Sequence, residues 1–110
     1  MEKRTIKMAA SDNVATALCD IVKGDSVTVY DEDQVQVAVL PATADIPYGN
    51  KIALNDVPDG GAIVKYGEVV GRACRDITAG TLVHVHNVRS LHLDIPERII
   101  EDIIREMHIE

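Results

Sequence analysis

The run TLVHVHNVRS, residues 81–90, sets two histidines one residue apart inside an apolar stretch and follows them with Asn87 and Arg89. Successive side chains of a strand project to opposite faces. Val83 and Val85 are therefore expected to face a core, with His84 and His86 side by side on the other face. An i, i+2 imidazole pair can ligate a divalent metal, move a proton near neutral pH, or hydrogen-bond a carboxylate or hydroxyl. The same pattern also describes two polar residues on the solvent face of a strand. A closed metal site needs further ligands, and the remaining histidines, His92 and His108, lie in a different segment.

Lys51, Lys65, Arg72 and Arg89 are the cations nearest in sequence to these groups, and in an acidic chain they are candidates to receive an anionic ligand. Surface salt bridges are the alternative use. Tyr66 stands beside Gly67, where its phenol can meet a ligand or its ring can pack over the glycine. Gly67 and Gly71 do not form a phosphate loop, because no helix follows and the G-K-[ST] ending is missing. Neither Ser90 nor Cys19 nor Cys74 has a nucleophile's surroundings. The sequence shows no self-sufficient catalytic constellation.

The elements that must hold these groups come from one domain's length of chain, 110 residues. With three Tyr and no Phe or Trp, the core must be built from Val, Ile, Leu and Ala, which favours strands. A formal charge of −7 repels phosphate backbones and anionic lipids, so nucleic acid and membrane are excluded as partners. The two cysteines lack C-x-x-C spacing and read as free, buried thiols of a cytoplasmic protein. No segment has the length of a signal peptide or a bilayer span.

Along the chain, Ile6 and Met8 suit a short opening strand. Ser11-Asp12-Asn13 reads as a helix start, and Val14, Ala17, Leu18 and Ile21 recur at helical spacing, predicting a helix over about 12–20. SVTVY (26–30) and QVQVAVL (34–40) alternate around Asp31-Glu32-Asp33 and predict paired strands. Pro41, Pro47 and Gly49 predict a loop with its tip at 46–50. AIVKYGEVVGRA (62–73) predicts a second hairpin with a type II′ turn at Gly67. Three stretches share D-[IV]-x-x-G-x-x-[VI], starting at Asp20, Asp56 and Asp76. Each reads as a corner in which Asp bonds backbone N–H groups two or three residues on and Gly takes a left-handed exit into a strand. Uneven intervals exclude a solenoid. After Arg89, an Ile99, Ile100, Ile103, Ile104 and Met107 stripe predicts an amphipathic helix with an Asp94/Glu97 capping pattern. That stripe either folds back on the β domain or joins chains into a homo-oligomer.

SDNVATALCDIVKGDSV and NKIALNDVPDGGAIVKYGEVVGRACRDITAGTLVHVHNVRS closely resemble the SAF-type N-terminal domain of the altronate and galactarate dehydratase family, which includes the small subunit of sulfolactate sulfo-lyase. The resemblance covers about residues 5–90. It implies a mainly β fold, a SAF-type β-clip over residues 1–90, to which the reading above adds a short N-terminal helix and an amphipathic C-terminal helix in residues 91–110. Members of the family are lyases that remove water, or sulfite, from hydroxylated sugar acids or similar small acids. A much larger domain carries their chemistry with a divalent metal, ferrous iron by the usual description.

The chain therefore reads as a small subunit or stand-alone SAF domain, without a cofactor of its own, whose site is completed by a large, metal-bearing dehydratase-type subunit. By this resemblance His84 and His86 become candidate catalytic or metal-binding residues. Asn87, Asn50, Lys51, Lys65 and Arg89 are candidates to bind the small anionic substrate. The H-x-H-N motif tilts the substrate toward altronate-like or sulfolactate-like acids. Two departures stand out: Asn50 replaces the histidine of the family's usual G-H-K, removing a general base, and the C-terminal helix is additional. They motivate the other reading, a non-catalytic sugar-acid-binding or assembly module.

Overall fold

The corner unit occurs four times rather than three in the computed structural model, which describes residues 2–91 and 95–109. The fourth copy, second in chain order, is DIPYGNKI at 45–52, where Pro47 and Gly49, with Pro41 just ahead, predict a plain loop. An alanine stands three residues ahead of every Asp, so the full unit is A-x-x-D-[IV]-x-x-G, beginning at Ala17, Ala42, Ala53 and Ala73.

The corners work in pairs, first with second and third with fourth. Ile21 and Ile46 bridge antiparallel, each N–H donating to the other's carbonyl at 2.9 and 2.8 Å, and Val57 and Ile77 do the same at 2.8 and 2.7 Å. The Asp side chains do not bond their own turns as expected. Asp20 accepts from the Tyr48 N–H (2.8 Å), while Asp45 accepts from the Lys23 N–H (2.9 Å). Asp56 and Asp76 likewise accept from Ala79 and Asp59, each at 2.9 Å. Each corner's glycine N–H donates to the alanine carbonyl of its partner corner, as Gly24 does to Ala42 and Gly80 to Ala53, both at 2.8 Å. The backbone groups a sharp turn exposes are thus satisfied by its twin.

Two cores follow from the two pairs. Ala17, Ile21, Ala42 and Ile46 share a buried cluster with Val27, Val29, Ile52 and Leu82. Ala53, Val57, Ala73 and Ile77 share the other with Val14, Ile63 and Val83.

Among the described residues nine strands run between the corners: β1 (Lys3–Ile6), β2 (Val14–Ala17), β3 (Ser26–Tyr30), β4 (Gln36–Pro41), β5 (Lys51–Ala53), β6 (Ala62–Lys65), β7 (Glu68–Ala73), β8 (Leu82–Val83) and β9 (Val88–Ser90). They form a six-stranded sheet in the order β4-β3-β1-β2-β5-β8 and a three-stranded sheet in the order β6-β7-β9. Only β1 and β3 pair in parallel; the other pairs are antiparallel. One helix, α1 (Glu97–Met107), follows. The fold is mainly β, as the sequence implies.

The N-terminal helix is not formed: residues 14–17 are β2. Val14, Ala15 and Ala17 are each buried because β2 lies between β1 and β5, and a short strand covered on both faces has no alternation to distinguish it from a helix. Asp12 and Asn13 cap nothing helical. The Asp12 carboxylate accepts the N–H groups of Ala9 (3.0 Å), Tyr66 (3.0 Å) and Gly67 (2.8 Å), and Asn13 exchanges side-chain bonds with Ala62 and Val64. They pin the β6–β7 hairpin to the six-stranded sheet. That hairpin's central residues are Tyr66 and Gly67, with φ of 56° and 75°. Two positive values mark a type I′ turn rather than type II′.

The helix folds back onto the β domain through Ile100, which is buried, while Ile103, Ile104 and Met107 are half-buried. Pro96 occupies its N-cap without a side-chain cap, and the expected Asp94 lies outside the described residues, as does His92. Cys19 and Cys74 are free, but neither is buried as expected: Cys19 is half-buried and Cys74 exposed. Among the described residues no helix is long and apolar enough to cross a membrane.

Candidate functional site

The strand that was to carry both histidines ends before them. β8 is Leu82–Val83 alone, and residues 84–87 form a turn. Asn87 makes that turn: its Oδ1 accepts the His84 N–H at 3.0 Å and its Nδ2 donates to the Leu82 carbonyl at 2.8 Å. The His84 carbonyl accepts the N–H groups of Asn87 (3.1 Å) and Val88 (3.0 Å). A side chain that satisfies backbone at both ends outcompetes continued pairing, which is what asparagine does in turns. Asn87 is buried, so its amide is occupied in shaping the loop.

Because the chain turns, the two imidazoles face different cavities. His84 lines a cleft of about 650 Å³ together with Asn50, Lys51, Lys65, Tyr66 and Ile100. His86 lines a smaller cavity of about 280 Å³ with Arg75 and the threonines Thr43, Thr78 and Thr81. Among the described residues no three His, Cys, Asp or Glu side chains gather to hold a metal. The divalent metal of the family resemblance is expected in the larger partner and not among these residues.

The cleft draws its groups from three segments. Lys51 opens β5 and stands opposite Val83 in the ladder, beside His84. Asn50 precedes it and donates from Nδ2 to the Pro47 carbonyl at 3.1 Å. Lys65 ends β6 next to the type I′ turn that Asp12 holds, and its Nζ lies 5.3 Å from the centre of the Tyr66 ring. Burial, with Lys65 nearby, pushes the Lys51 ammonium below its usual pKa. Burial, with Lys51 nearby, likewise holds the His84 ring below the usual histidine value, so it is neutral at pH 7. The Val85 N–H donates to His84 Nδ1 at 2.7 Å. That bond assigns the proton of the neutral ring to Nε2, and His84 therefore offers an N–H donor rather than a basic nitrogen.

Arg89 does not line the cleft. Its guanidinium donates to the Val85 carbonyl and, at 3.3 Å, to the Val88 carbonyl, and lies 3.7 Å from the Glu97 carboxylate. It straps the 84–87 turn to the start of α1. Arg72 is exposed on β7, away from the cleft lining. Of the residues singled out in the sequence, His84, Asn50, Lys51, Lys65 and Tyr66 come together, while His86, Asn87 and Arg89 do not join them.

Sequence reasoning missed Asp12 as the clamp of the Lys65–Tyr66 turn, and it missed Arg75 and the threonines beside His86. Asp12 stood in the polar triplet Ser11-Asp12-Asn13, which gives the same signal as a helix cap. The Arg75 cluster joins residues from both corner pairs and had no local signal.

Paired corners, two open sheets and a cleft edged with cations define a small β-clip domain. Over residues 3–91 the sequence matches the family described as the altronate/galactarate dehydratase SAF domain, and the chain belongs to that family. It is 38% identical over 92 residues to an altronate dehydratase of Escherichia coli, a match covering 84% of this chain and 17% of that protein. It is 41% identical over 93 residues to an altronate dehydratase of Bacillus subtilis, covering 84% and 18%. It is also 32% identical over 82 residues to the (2R)-sulfolactate sulfo-lyase subunit alpha of Chromohalobacter salexigens, covering 74% of this chain and 87% of that subunit. The chain thus spans under a fifth of the altronate dehydratases but most of a lyase subunit. α1 lies beyond the matched residues.

Proposed function

We propose that the chain is the small subunit, or a stand-alone SAF domain, of an altronate-dehydratase-like lyase, and that its cleft holds the carboxylate end of a hydroxylated sugar acid or similar small acid. The observation that carries this reading is the meeting of Lys51, Lys65, Asn50 and His84 in one cleft of a chain whose net charge is −7. Two ammonium groups receive the carboxylate, and the His84 Nε2–H and the Asn50 amide are placed to bond its oxygens or a neighbouring hydroxyl. Elimination beside a carboxylate needs a base for the α-proton and an acid for the leaving group. His84, with Nδ1 already accepting a backbone N–H, orients the substrate rather than removing that proton. The base, and the metal that the family's chemistry calls for, belong to a larger partner subunit.

A second reading, a non-catalytic sugar-acid-binding or assembly module, is favoured by the same occupied nitrogen and by Asn50, which cannot act as a base. Calorimetry with altronate and with sulfolactate tests the shared part. Saturable binding is expected, and Lys51→Met with Lys65→Met is expected to weaken it at least about tenfold, about 1.4 kcal/mol. Affinity unchanged by both substitutions overturns the assignment of the cleft. Turnover with the large subunit separates the two readings: a His84→Ala chain that lowers kcat supports the lyase role, and full activity supports the module.

A further inference from the structure

We propose that β4 is a self-association edge, on which two copies of this chain pair antiparallel about a two-fold axis and join their six-stranded sheets. β4 is the end strand of its sheet and pairs with β3 alone. None of its residues is buried; Val37 and Val39 on it are 48% and 54% exposed, and Val35, just before it, is 56% exposed. A strand edge carries unpaired N–H and C=O groups, and natural proteins usually blunt it with lysine, a central proline or an inward charge. β4 has none of these; the irregularity it does carry is a register shift that leaves Val37 without a partner on β3, a bulge of the kind that also blunts edges. Residues 34–44 carry no charge at all in a chain of net charge −7, and Pro41 comes only at the strand's end. Across the rest of this surface two copies would repel; along this stretch they do not.

Charge decides both the occupant and the direction. The turn entering β4 is Asp31-Glu32-Asp33. At the other end, Gly24 bonds Ala42, placing Lys23 beside the exit from β4, and Lys23 makes no ion pair among the described residues. Asp20, Asp25 and Asp45 stand near Lys23 and keep their charge, Asp25 3.8 Å from Lys3 and the other two accepting backbone N–H groups of the facing corner, so with Lys3 and Lys23 this end is less acidic than the turn at the other. Antiparallel pairing sets the acidic turn of each copy against Lys23 of the other, whereas parallel pairing stacks acidic turn on acidic turn. Such a patch is self-complementary under a two-fold axis, as a closed dimer requires. It is independent of the cleft, so its failure leaves the proposed ligand site untouched.

Sedimentation equilibrium of the full chain from micromolar to millimolar concentration tests the proposal. A monomer–dimer equilibrium is expected, with Val37→Lys/Val39→Lys raising the dissociation constant at least about tenfold while the circular dichroism spectrum is unchanged. Lys23→Glu should weaken the dimer, and adding Asp33→Lys to it should restore the association. A monomer at every concentration overturns the proposal. So does a dimer indifferent to the two lysines on β4, which would place the interface elsewhere. Failure of the charge exchange to restore association overturns the antiparallel arrangement.

Discussion

Acidification should destabilise the fold through one buried ring. His86 is 7% exposed and its Nδ1 has no hydrogen-bond partner. Burial above all, then the Arg75 cation and His84, hold its pKa at about 4, against 6.5 for a free histidine. In the unfolded chain the ring takes a proton below about pH 6.5; in the folded chain it does not until about pH 4. Between these values the unfolded state binds more protons, so stability is fully present above pH 6.5 and falls as the pH drops toward 4. A difference of about 2.5 units at 1.36 kcal/mol each gives a loss of about 3 kcal/mol, a large part of a domain's usual 5–15 kcal/mol. Urea unfolding of the wild type and of His86→Gln at about pH 7, 5.5 and 4 isolates this contribution, because the carboxylates titrate in both and cancel. The wild type should lose about 3 kcal/mol relative to the variant across that range. Parallel stability profiles, or an NMR titration of the His86 ring with a midpoint near 6.5, would refute the reasoning.

Asp12→Asn replaces one of the oxygens that together accept three backbone N–H groups with an NH₂ facing a donor, and should cost about 2–4 kcal/mol by chemical denaturation. A loss below about 1 kcal/mol would show that the turn holds without the clamp. Gly24 and Gly80 occupy equivalent places in their corners with φ of 95° and 90°, yet a Cβ on Gly24 meets open space while one on Gly80 collides with the Pro41 carbonyl oxygen. Gly24→Ala should therefore cost about 1–2 kcal/mol and Gly80→Ala about 3 kcal/mol or more, with equal thermal shifts ruling out the asymmetry.

What the sequence disclosed depended on whether the cause was local. The β3–β4 and β6–β7 strands were legible because alternation and turn residues sit within a few positions of each other. The corner motif was legible as a pattern, but its partner was not. The Asp20 carboxylate meets the Tyr48 N–H across 28 positions, and the Pro47 and Tyr48 that fill the fourth copy look like ordinary loop residues. β2 was misread for the complementary reason, since its neighbours on both sides are remote and full burial erases the period of two. At the site, alternation through the H-x-H-N motif predicts a continued strand, whereas β8 ends at Val83 and residues 84–87 turn. Asn87, taken for a ligand contact, is the residue that turns the chain and sends His84 and His86 into separate cavities.

Adjacent residues of β8 belong to different cores: Leu82 is buried with the first pair of corners and Val83 with the second. With β2 and β5, which divide their residues in the same way, β8 is part of the seam of the domain, and the histidine turn hangs directly from that seam. The cleft straddles it as well, with Asn50 and Lys51 supplied by the first half and Lys65 and His84 by the second. An acid gripped by both lysines would add a rivet between halves already joined by β2, β5 and the Asp12 and Asn13 bonds. Its presence should then be felt less in either half alone than in how tightly the two melt together.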